Sequence, residues 1–510
     1  MPNNNNKRIA KNTLFLYFRM MLIMGVNLFT VRVVLKTLGV EDYGINNVVG
    51  GIVAMLSFFS STMVSASMRF FTFELGRKNY TRLNQFFKLT IFSYLGFSVI
   101  ILILAETVGL WFLKTQMVLP ETRMSAAMWV YQFSIASFIL YMFVVPYNSI
   151  IIAREKMHIY AYIGILEAIL KLAVVFILVI FNGDKLKSYA VLLFLVTLII
   201  SLFYIIYCSY KYKECKLSFF WNSQMFKELI SYSAWSLFGA LAAMIKGQGI
   251  NILLNVFFNP IVNAARAIAF TVNSAINLFV TNFYQAVRPQ ITKKYASGET
   301  QEMMKLVFIS SRFCYYLMLS FAIPILIETP YILSLWLSEV PEYTILFTRL
   351  VIITTMIESL SYPLMTAVSA TGKIKWYQTV TGGLLILNLP ISYVLLKTGY
   401  PPEITMYVAM GIAVLSQISR MLFMKNMLKM SIDTYIKKIV FVIIIVTLLS
   451  WITPFVVYKI MNYGFVRLII VTLCSFISSI LVIYSVGITN DERHILNHFF
   501  YKKIQIIINK

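Results

Sequence analysis

We single out ten ionisable residues inside long apolar stretches of this sequence, and most of them are cations. The cations are Arg19, Arg32, Lys171, Lys246, Arg266, Arg312 and Arg349, and the acids are Glu106, Glu167 and Glu358. A charge in hydrocarbon costs at least about 2.5–3.5 kcal/mol, so such a residue usually faces water, a ligand or a partner of opposite sign. Because guanidinium and ammonium groups bind phosphate and carboxylate oxygens strongly, the surplus of cations indicates a site for an anion.

Lys246 is the cation with the strongest case for a binding role. It lies near the middle of the stretch AAMIKGQGINILLN, and no acid is evident on its own predicted helix. Gly247 and Gly249 flank Gln248 directly after it, and two glycines loosen a helix locally. Backbone exposed at that depth is tolerated only against protein or a water-filled cavity. The alternative is close helix packing through small residues.

The other intramembrane charges have competing interpretations. Glu167 and Lys171 are four residues apart, which predicts a structural ion pair on one helix face. Each of the arginines near the end of an apolar stretch can also reach the lipid headgroups by extending its side chain. The substrate-binding residues that we predict, in order of preference, are Lys246, Arg266, Arg32 and Arg19, with the polar neighbours Gln248 and Asn27.

Composition places these residues in a polytopic membrane protein of the all-α class. Hydrophobic residues make up 59% of the 510 residues and charged residues 13%, against about 45–50% and 25% in a soluble domain. Apolar stretches of about 20 residues, each long enough to span the bilayer, recur along the chain. The sequence predicts about 14 spans, near residues 13–38, 44–68, 87–112, 124–150, 159–181, 188–208, 229–257, 264–287, 303–327, 344–369, 375–397, 404–427, 436–458 and 464–487.

The distribution of Lys and Arg among the loops predicts the orientation of these spans. Roughly 29 basic residues lie on the side that holds the amino terminus and about 8 on the other, so both termini are expected in the cytoplasm. The formal net charge of +24 then reflects loops that face anionic headgroups, and nucleic acid is not an expected partner.

The second half of the chain repeats the first. YMFVVPYNSIIIAREKMHIY aligns with ESLSYPLMTAVSATGKIKWY, so that Pro146 matches Pro363 and Lys156 matches Lys373, 217 residues apart. Gly76 and Gly298 match at a nearly equal spacing. Two similar bundles in one bilayer are typical of an alternating-access transporter with its substrate site between them.

The repeat is six spans long, which predicts three parts of the chain. They are a six-helix lobe over 1–226, a second over 227–430, and two extra spans with a cytoplasmic tail over 431–510. Because six is even, both lobes enter the membrane from the same side, so an axis along the membrane normal should relate them. Residues 491–510 read as an amphipathic helix that lies on the membrane surface.

No motif for a cofactor, metal or nucleotide is present. The four cysteines show no disulfide or zinc spacing, and His494 and His498 lack a third ligand in the sequence. The stretch ATGKIK fails the phosphate-loop pattern, because Ala367 replaces its first glycine and Ile374 its Ser or Thr. We therefore predict no metal and no cofactor.

A resemblance follows from the segment RVVLKTLGVEDYGINNVVGGIVAML. An apolar helix ends there in Leu38-Gly39, and Glu41, Tyr43 and Gly44 follow. The loop ILSLWLSEVPEY and the Ala-x-x-Lys turns after the fourth and tenth spans add to it. Over essentially its whole length the chain resembles the polysaccharide-export branch of the MOP (multidrug/oligosaccharidyl-lipid/polysaccharide) superfamily, which includes the Wzx-type flippases.

The resemblance implies a V-shaped pair of six-helix lobes around a cationic cavity in a transporter, not an enzyme. It implies transport of an undecaprenyl-pyrophosphate-linked oligosaccharide across the bacterial cytoplasmic (inner) membrane, for O-antigen, capsule or exopolysaccharide. The implied partners are that lipid-linked oligosaccharide, membrane lipids, and a glycan polymerase and ligase of the same pathway. In related flippases, arginines of the first and eighth spans meet the pyrophosphate, and Arg19 or Arg32 and Arg266 occupy comparable places. Lys246 matches no family motif.

Two other functions remain open at this stage. A multidrug cation exporter of the same superfamily would resemble the chain in fold, but such exporters use membrane-embedded acids, often in the first span. The first span here holds Arg19 and Arg32 and no acid. A membrane glycan polymerase or ligase generally needs a sizeable outer loop for its catalytic groups, and the predicted outer loops are short.

Overall fold

The computed structural model describes residues 2–54, 57–115, 120–180, 182–258, 260–337, 339–490 and 492–493. The side chains at a further set of positions, mostly within the first 58 residues and including Arg32 and Glu41, also lie outside the described part. All regular structure in the described ranges is helical, so the predicted all-α class is confirmed. His494 and His498 and most of the predicted surface helix over 491–510 lie outside these ranges.

Seventeen α-helices form the described chain. They are α1 (Pro2–Ala54), α2 (Ser57–Gly76), α3 (Tyr80–Leu104), α4 (Leu110–Thr115), α5 (Met124–Ala153), α6 (Met157–Ile180), α7 (Lys185–Lys211), α8 (Ser223–Phe257), α9 (Pro260–Ala296), α10 (Thr300–Trp336), α11 (Thr344–Ser359), α12 (Ser361–Ala370), α13 (Lys375–Lys397), α14 (Ile404–Leu428), α15 (Ile432–Tyr435), α16 (Phe441–Ile460) and α17 (Phe465–Val482). Short π-helical turns connect α3 to α4 and α15 to α16, and another follows α17.

Within the described residues, thirteen helical segments are long and apolar enough to cross a membrane. They correspond to thirteen of the predicted spans, so the chain is a multi-pass membrane protein. The remaining predicted span, 44–68, falls partly on residues outside the described ranges. Its start is visible, because α1 continues past Gly39, where φ is 81° and ψ 168° and the helix kinks. The Leu38-Gly39 pair thus marks a change of chain direction, as its sequence predicts.

The chain forms two compact units, and α8 begins in one and ends in the other. The first, the N unit, comprises Ile9–Leu237, and the second, the C unit, comprises Met1–Arg8 and Phe238–Lys510. The predicted division into 1–226, 227–430 and 431–510 stays a prediction.

The internal repeat appears in the structure as pairs of turns, and each turn contains a residue with a positive φ. Glu155 has a φ of 59° and Gly372 a φ of 77°, and they stand 217 residues apart, the spacing that the aligned prolines give. A second pair consists of Lys78, with a φ of 56°, and Gly298, with a φ of 81°. Both turns of this pair close with the same three backbone hydrogen bonds. Gly298 therefore corresponds to Lys78, two residues beyond the Gly76 that sequence comparison paired with it.

Ion pairs of the N unit join connections that should share one side of the membrane. Arg123 Nε and Nη2 donate to the Asp42 carboxylate at 2.7 and 2.5 Å, and Arg123 Nη1 reaches Asp184 Oδ2 at 3.2 Å. These residues stand at the connections after the first, third and fifth predicted spans. When spans alternate in direction, the connections after the first, third and fifth spans lie on the same side of the membrane. The ion pairs of Arg123 therefore support the predicted topology of this unit.

The two extra helices α16 and α17 are built into the C unit by buried ion pairs with α10. Arg467 Nε and Nη2 donate to the two carboxylate oxygens of Glu328 at 2.7 and 2.9 Å, and Glu328 is fully buried. Buried Arg312 of α10 pairs with Glu492 at 2.5 Å and donates to the Gly487 carbonyl at 3.2 Å. The start of α17 and the chain that follows this helix are thus both held to α10.

Candidate functional site

Lys246, the first-ranked candidate, is paired with an acid in the structure. Its Nζ donates to Glu358 Oε1 at 3.1 Å, and the side chains are 19% and 35% exposed. The expectation of an unpaired cation was wrong. Glu358 lies in the last turn of α11, 112 residues from Lys246 along the chain, so helical spacing within one segment could not reveal the contact.

Arg266 of α9 is buried, with 7% of its surface exposed, and its partners are all neutral. Its guanidinium donates to Asn251 Oδ1 and, at 3.2 Å, to the Gly247 carbonyl, and it lies over the Phe270 ring at 4.4 Å. The Nε atom is buried without a hydrogen-bond partner. Among the described residues no carboxylate comes within ion-pair distance of it. Arg266 is therefore a buried positive charge whose compensation is incomplete, and it does not extend to the headgroups.

A short polar chain leads from Arg266 to the exposed surface of α8. Because Asn251 Oδ1 accepts from Arg266, the amide nitrogen of Asn251 is oriented as a donor, and it donates to Gln248 Oε1 at 3.1 Å. Gln248 is an exposed residue, and its side-chain amide nitrogen is the last donor of this chain. Aligned donors of this kind polarise one another and extend the field of the cation outward. The chain can thus present N–H donors to an anion.

The glycines beside Lys246 do not unwind α8. The helix is continuous through Gly247 and Gly249, so the expected local loosening was wrong. A Cβ on Gly249 would lie 2.5 Å from Leu389 Cδ1 of α13, which identifies this glycine as a close-packing position. Nothing lies within 4 Å of a Cβ built on Gly247, whose carbonyl accepts from Arg266. The space beside Gly247 is therefore open.

Arg19 of α1 is the candidate cation of the N unit whose side chain the structure describes. Its guanidinium lies over the Tyr160 ring at 4.4 Å, and its Nε contacts Gly164 so closely that a Cβ there would collide with it. That Nε is buried without a hydrogen-bond partner, and no carboxylate of the described residues pairs with it. Asn27, eight residues further on, is exposed. The side chain of Arg32 lies outside the described part of the structure.

The remaining intramembrane charges are structural. Lys171 Nζ donates to Glu167 Oε1 at 2.6 Å, which confirms the predicted pair. Arg349 Nε donates to the Leu326 carbonyl at 3.2 Å, and Glu106 accepts from the Gln132 amide at 3.1 Å. Arg349 thus has a neutral partner, like Arg266, but its side chain is only partly buried, and the other two interactions leave no cation uncompensated.

The sequence-based list omits two further buried cations, Arg467, which pairs with Glu328, and Arg420 of α14. Arg420 donates to Ser361 Oγ at 2.9 Å and to the Tyr377 hydroxyl at 3.4 Å, and no described carboxylate pairs with it. Gln417, one turn before it, accepts from the same Ser361 hydroxyl. The sequence offers one signal for Arg420, which is its position inside the predicted span 404–427. Among the described residues of the C unit, Arg420 thus joins Arg266 and Arg349 as an arginine with neutral partners only.

The described residues contain no cluster of His, Cys, Asp and Glu that could hold a metal ion, and all four cysteines are free. The chemistry of the site is therefore carried by guanidinium, ammonium and amide donors. Such groups bind oxyanions by charge-assisted hydrogen bonds, and an arginine does so with two parallel bonds.

Comparison with solved structures assigns the fold. A multidrug resistance MATE family transporter of the MOP superfamily, in an outward-facing conformation, superposes with a TM-score of 0.72 at 12% identity, covering 84% of this chain and 97% of that one. The MATE transporter ClbM in complex with Rb+ gives 0.69 at 15% identity, with 84% and 96% covered. A MOP superfamily transporter from Pyrococcus furiosus, described as having a binding pocket of reversed polarity, gives 0.69 at 13%, with 83% and 97% covered.

No protein-family model matches the chain. No curated protein matches its sequence either. At 12–15% identity the structural likeness establishes the fold alone, and that fold is the one found in MATE transporters.

Proposed function

We propose that this protein is a transporter of the MOP superfamily that moves an undecaprenyl-pyrophosphate-linked oligosaccharide across the bacterial cytoplasmic membrane. A pyrophosphate head cannot cross hydrocarbon, but it can rest on buried cations while its prenyl tail stays in lipid. Exposure of the binding site to one side of the membrane and then to the other would reorient the head by alternating access.

The observation that carries this proposal is Arg266, a buried guanidinium with only neutral partners. Leaving such a charge without a carboxylate costs folding free energy, and a fold tolerates that cost where the charge serves a ligand. The open space beside Gly247 and the donor chain through Asn251 to Gln248 add room and further donors. Together these groups suit a phosphate oxygen better than an organic cation.

Arg19 and Arg420 support the same class of cargo. Each is an intramembrane arginine without a carboxylate partner among the described residues, one in the N unit and one in the C unit. A guanidinium keeps its charge in a buried setting and matches the geometry of phosphate oxygens. In the C unit we propose Arg266 and Gln248 as ligand contacts, with Lys246 as a further one. In the N unit we propose Arg19 as a ligand contact, with Arg32 and Asn27 as further ones.

Export of a cationic drug is the second candidate, because the structural neighbours include a multidrug resistance MATE transporter. A cation exporter needs an acid that is free to bind its cargo. The first predicted span contains no Asp or Glu, and Glu358 is already paired with Lys246. Glu106 has no described cation partner, but it is one acid against several arginines that have neutral partners only. These features favour an anionic cargo.

Deletion of the gene, followed by analysis of lipid-linked glycans, tests the proposal. We expect finished repeat units to accumulate on the cytoplasmic leaflet, and the wild-type gene to restore export. Arg266→Ala should fail to restore it, whereas Lys437→Ala, which removes an exposed cation paired with Asp433, should succeed. Normal glycan export in the deletion strain, or increased sensitivity to cationic drugs alone, would refute the proposal.

A further inference from the structure

We infer that Glu358 acts as an internal competitor for the phosphorylated ligand, occupying Lys246 until the ligand displaces it. The inference rests on the proposed function and adds a residue that sets the affinity of that site. Lys246 would then be a conditional cation, available only when its contact with Glu358 opens. Arg266, which has neutral partners only, would be available throughout.

The first support comes from a comparison of the ion pairs within the C unit. Arg467 and Glu328 share two hydrogen bonds, and their side chains are 8% and 0% exposed. Lys246 and Glu358 share a single hydrogen bond of 3.1 Å and are much more exposed. Opening a buried, doubly bonded pair strands two charges in a medium of low dielectric constant. The Lys246–Glu358 pair is only partly buried, so opening it costs less than opening the Arg467–Glu328 pair.

The second support is the position of Glu358 at a break between two helices. α11 ends at Ser359, the residue after Glu358, and α12 begins at Ser361. Pro363 has no N–H to donate to the carbonyl of Ser359, so a continuous helix is disfavoured there. The last carbonyls of α11 lack partners within the helix, so this turn is less constrained than the helix interior. Glu358 is therefore placed where it can leave Lys246.

The third support is the local charge balance. Arg266 of α9 donates to the carbonyl of Gly247, the residue after Lys246, so its guanidinium contacts the part of α8 that carries Lys246. With Glu358 in place, the charges of the three groups sum to +1. A ligand phosphate that binds Lys246 must first displace the carboxylate that is already bound there. Glu358 should thus weaken phosphate binding and help release the ligand.

The test uses purified full-length protein in detergent, with geranylgeranyl pyrophosphate as the probe. Glu358→Gln removes the competing charge and should tighten probe binding by about fivefold, the factor that corresponds to an exposed ion pair. Combining it with Lys246→Gln should abolish the gain. Asp433→Asn removes one negative charge from an exposed pair elsewhere and should leave affinity at the wild-type value.

Glu358→Asp keeps the charge but shortens the side chain, so a smaller gain is expected, and it replaces Glu358→Gln if that variant does not fold. Elution as a single species and an unchanged unfolding midpoint establish folding. Probe binding by the wild type with no gain, or a loss, in the Glu358 variants would overturn this inference and leave the proposed function standing. Absence of probe binding in the wild type and in every Glu358 variant would overturn both.

Discussion

The ion pair between Arg467 and Glu328 should be the most sensitive electrostatic contact in the C unit. Arg467→Met leaves the Glu328 carboxylate fully buried without its partner, and removal of one member of a buried pair costs about 3–5 kcal/mol. The guanidinium also lies over the rings of Tyr458 and Tyr463, at 4.4 and 4.9 Å, so some packing is lost as well. We expect a large fall in the thermal unfolding midpoint in detergent.

The double variant Arg467→Met with Glu328→Gln separates the stranded charge from the lost contact. It removes both charges, so most of the stability lost in the single variant should return. The matched control is Lys437→Gln, which breaks an exposed pair with Asp433 and should cost about 0–1 kcal/mol. If the double variant is no more stable than Arg467→Met, the uncompensated charge is not the cause and the reasoning fails.

Three further predictions concern packing, pH and the N unit. Gly382→Ala should lower the unfolding midpoint, because its Cβ would lie 2.8 Å from the Phe238 ring. The Cβ of Gly383→Ala, next to it in α13, meets open space, so this variant should gain about 0.5–1 kcal/mol in the free energy of unfolding. Equal midpoints of the two variants would contradict this prediction. Burial alone would raise the pKa of Asp184, but the Lys187 amide and the Arg123 guanidinium lower it below its usual value. The stability that Asp184 contributes is therefore present above its unfolded-state pKa and is lost as pH falls through its folded-state pKa. We thus expect the free energy of unfolding to fall further in the wild type than in Asp184→Asn between pH 7 and pH 3. Gly164→Ala should displace Arg19 and reduce glycan export while the protein remains folded, and unchanged export would show that the placement of Arg19 is unimportant.

The fold could be predicted from the sequence because its signals are local. Apolar length defines each span, and a leucine-glycine pair marks the kink at Gly39. The spacing of 217 residues between Pro146 and Pro363 recurs in the turns at Glu155 and Gly372. The Glu167–Lys171 pair was predictable for the same reason, since both residues stand on one helix face.

The site was only partly predictable because its contacts join distant segments. Lys246 and Glu358 both stand out as charged residues in apolar stretches of the sequence. Only the tertiary contact between α8 and the end of α11 shows that their charges neutralise each other. The burial of Arg266 and the neutrality of its partners likewise depend on tertiary structure, since Asn251 belongs to the preceding helix. Glycine spacing around Gln248 could not distinguish an unwound helix from a packed one.

The central claim is that buried, incompletely compensated cations carry a phosphorylated lipid head across the membrane. The most direct measurement is transport of a fluorescent undecaprenyl-pyrophosphate oligosaccharide between the leaflets of proteoliposomes, read by its accessibility to a membrane-impermeant quencher. The account predicts transport by the wild type and by Lys437→Ala, and its loss in Arg266→Ala at an unchanged unfolding midpoint. Equal transport by Arg266→Ala and the wild type, or none by the wild type, would contradict it.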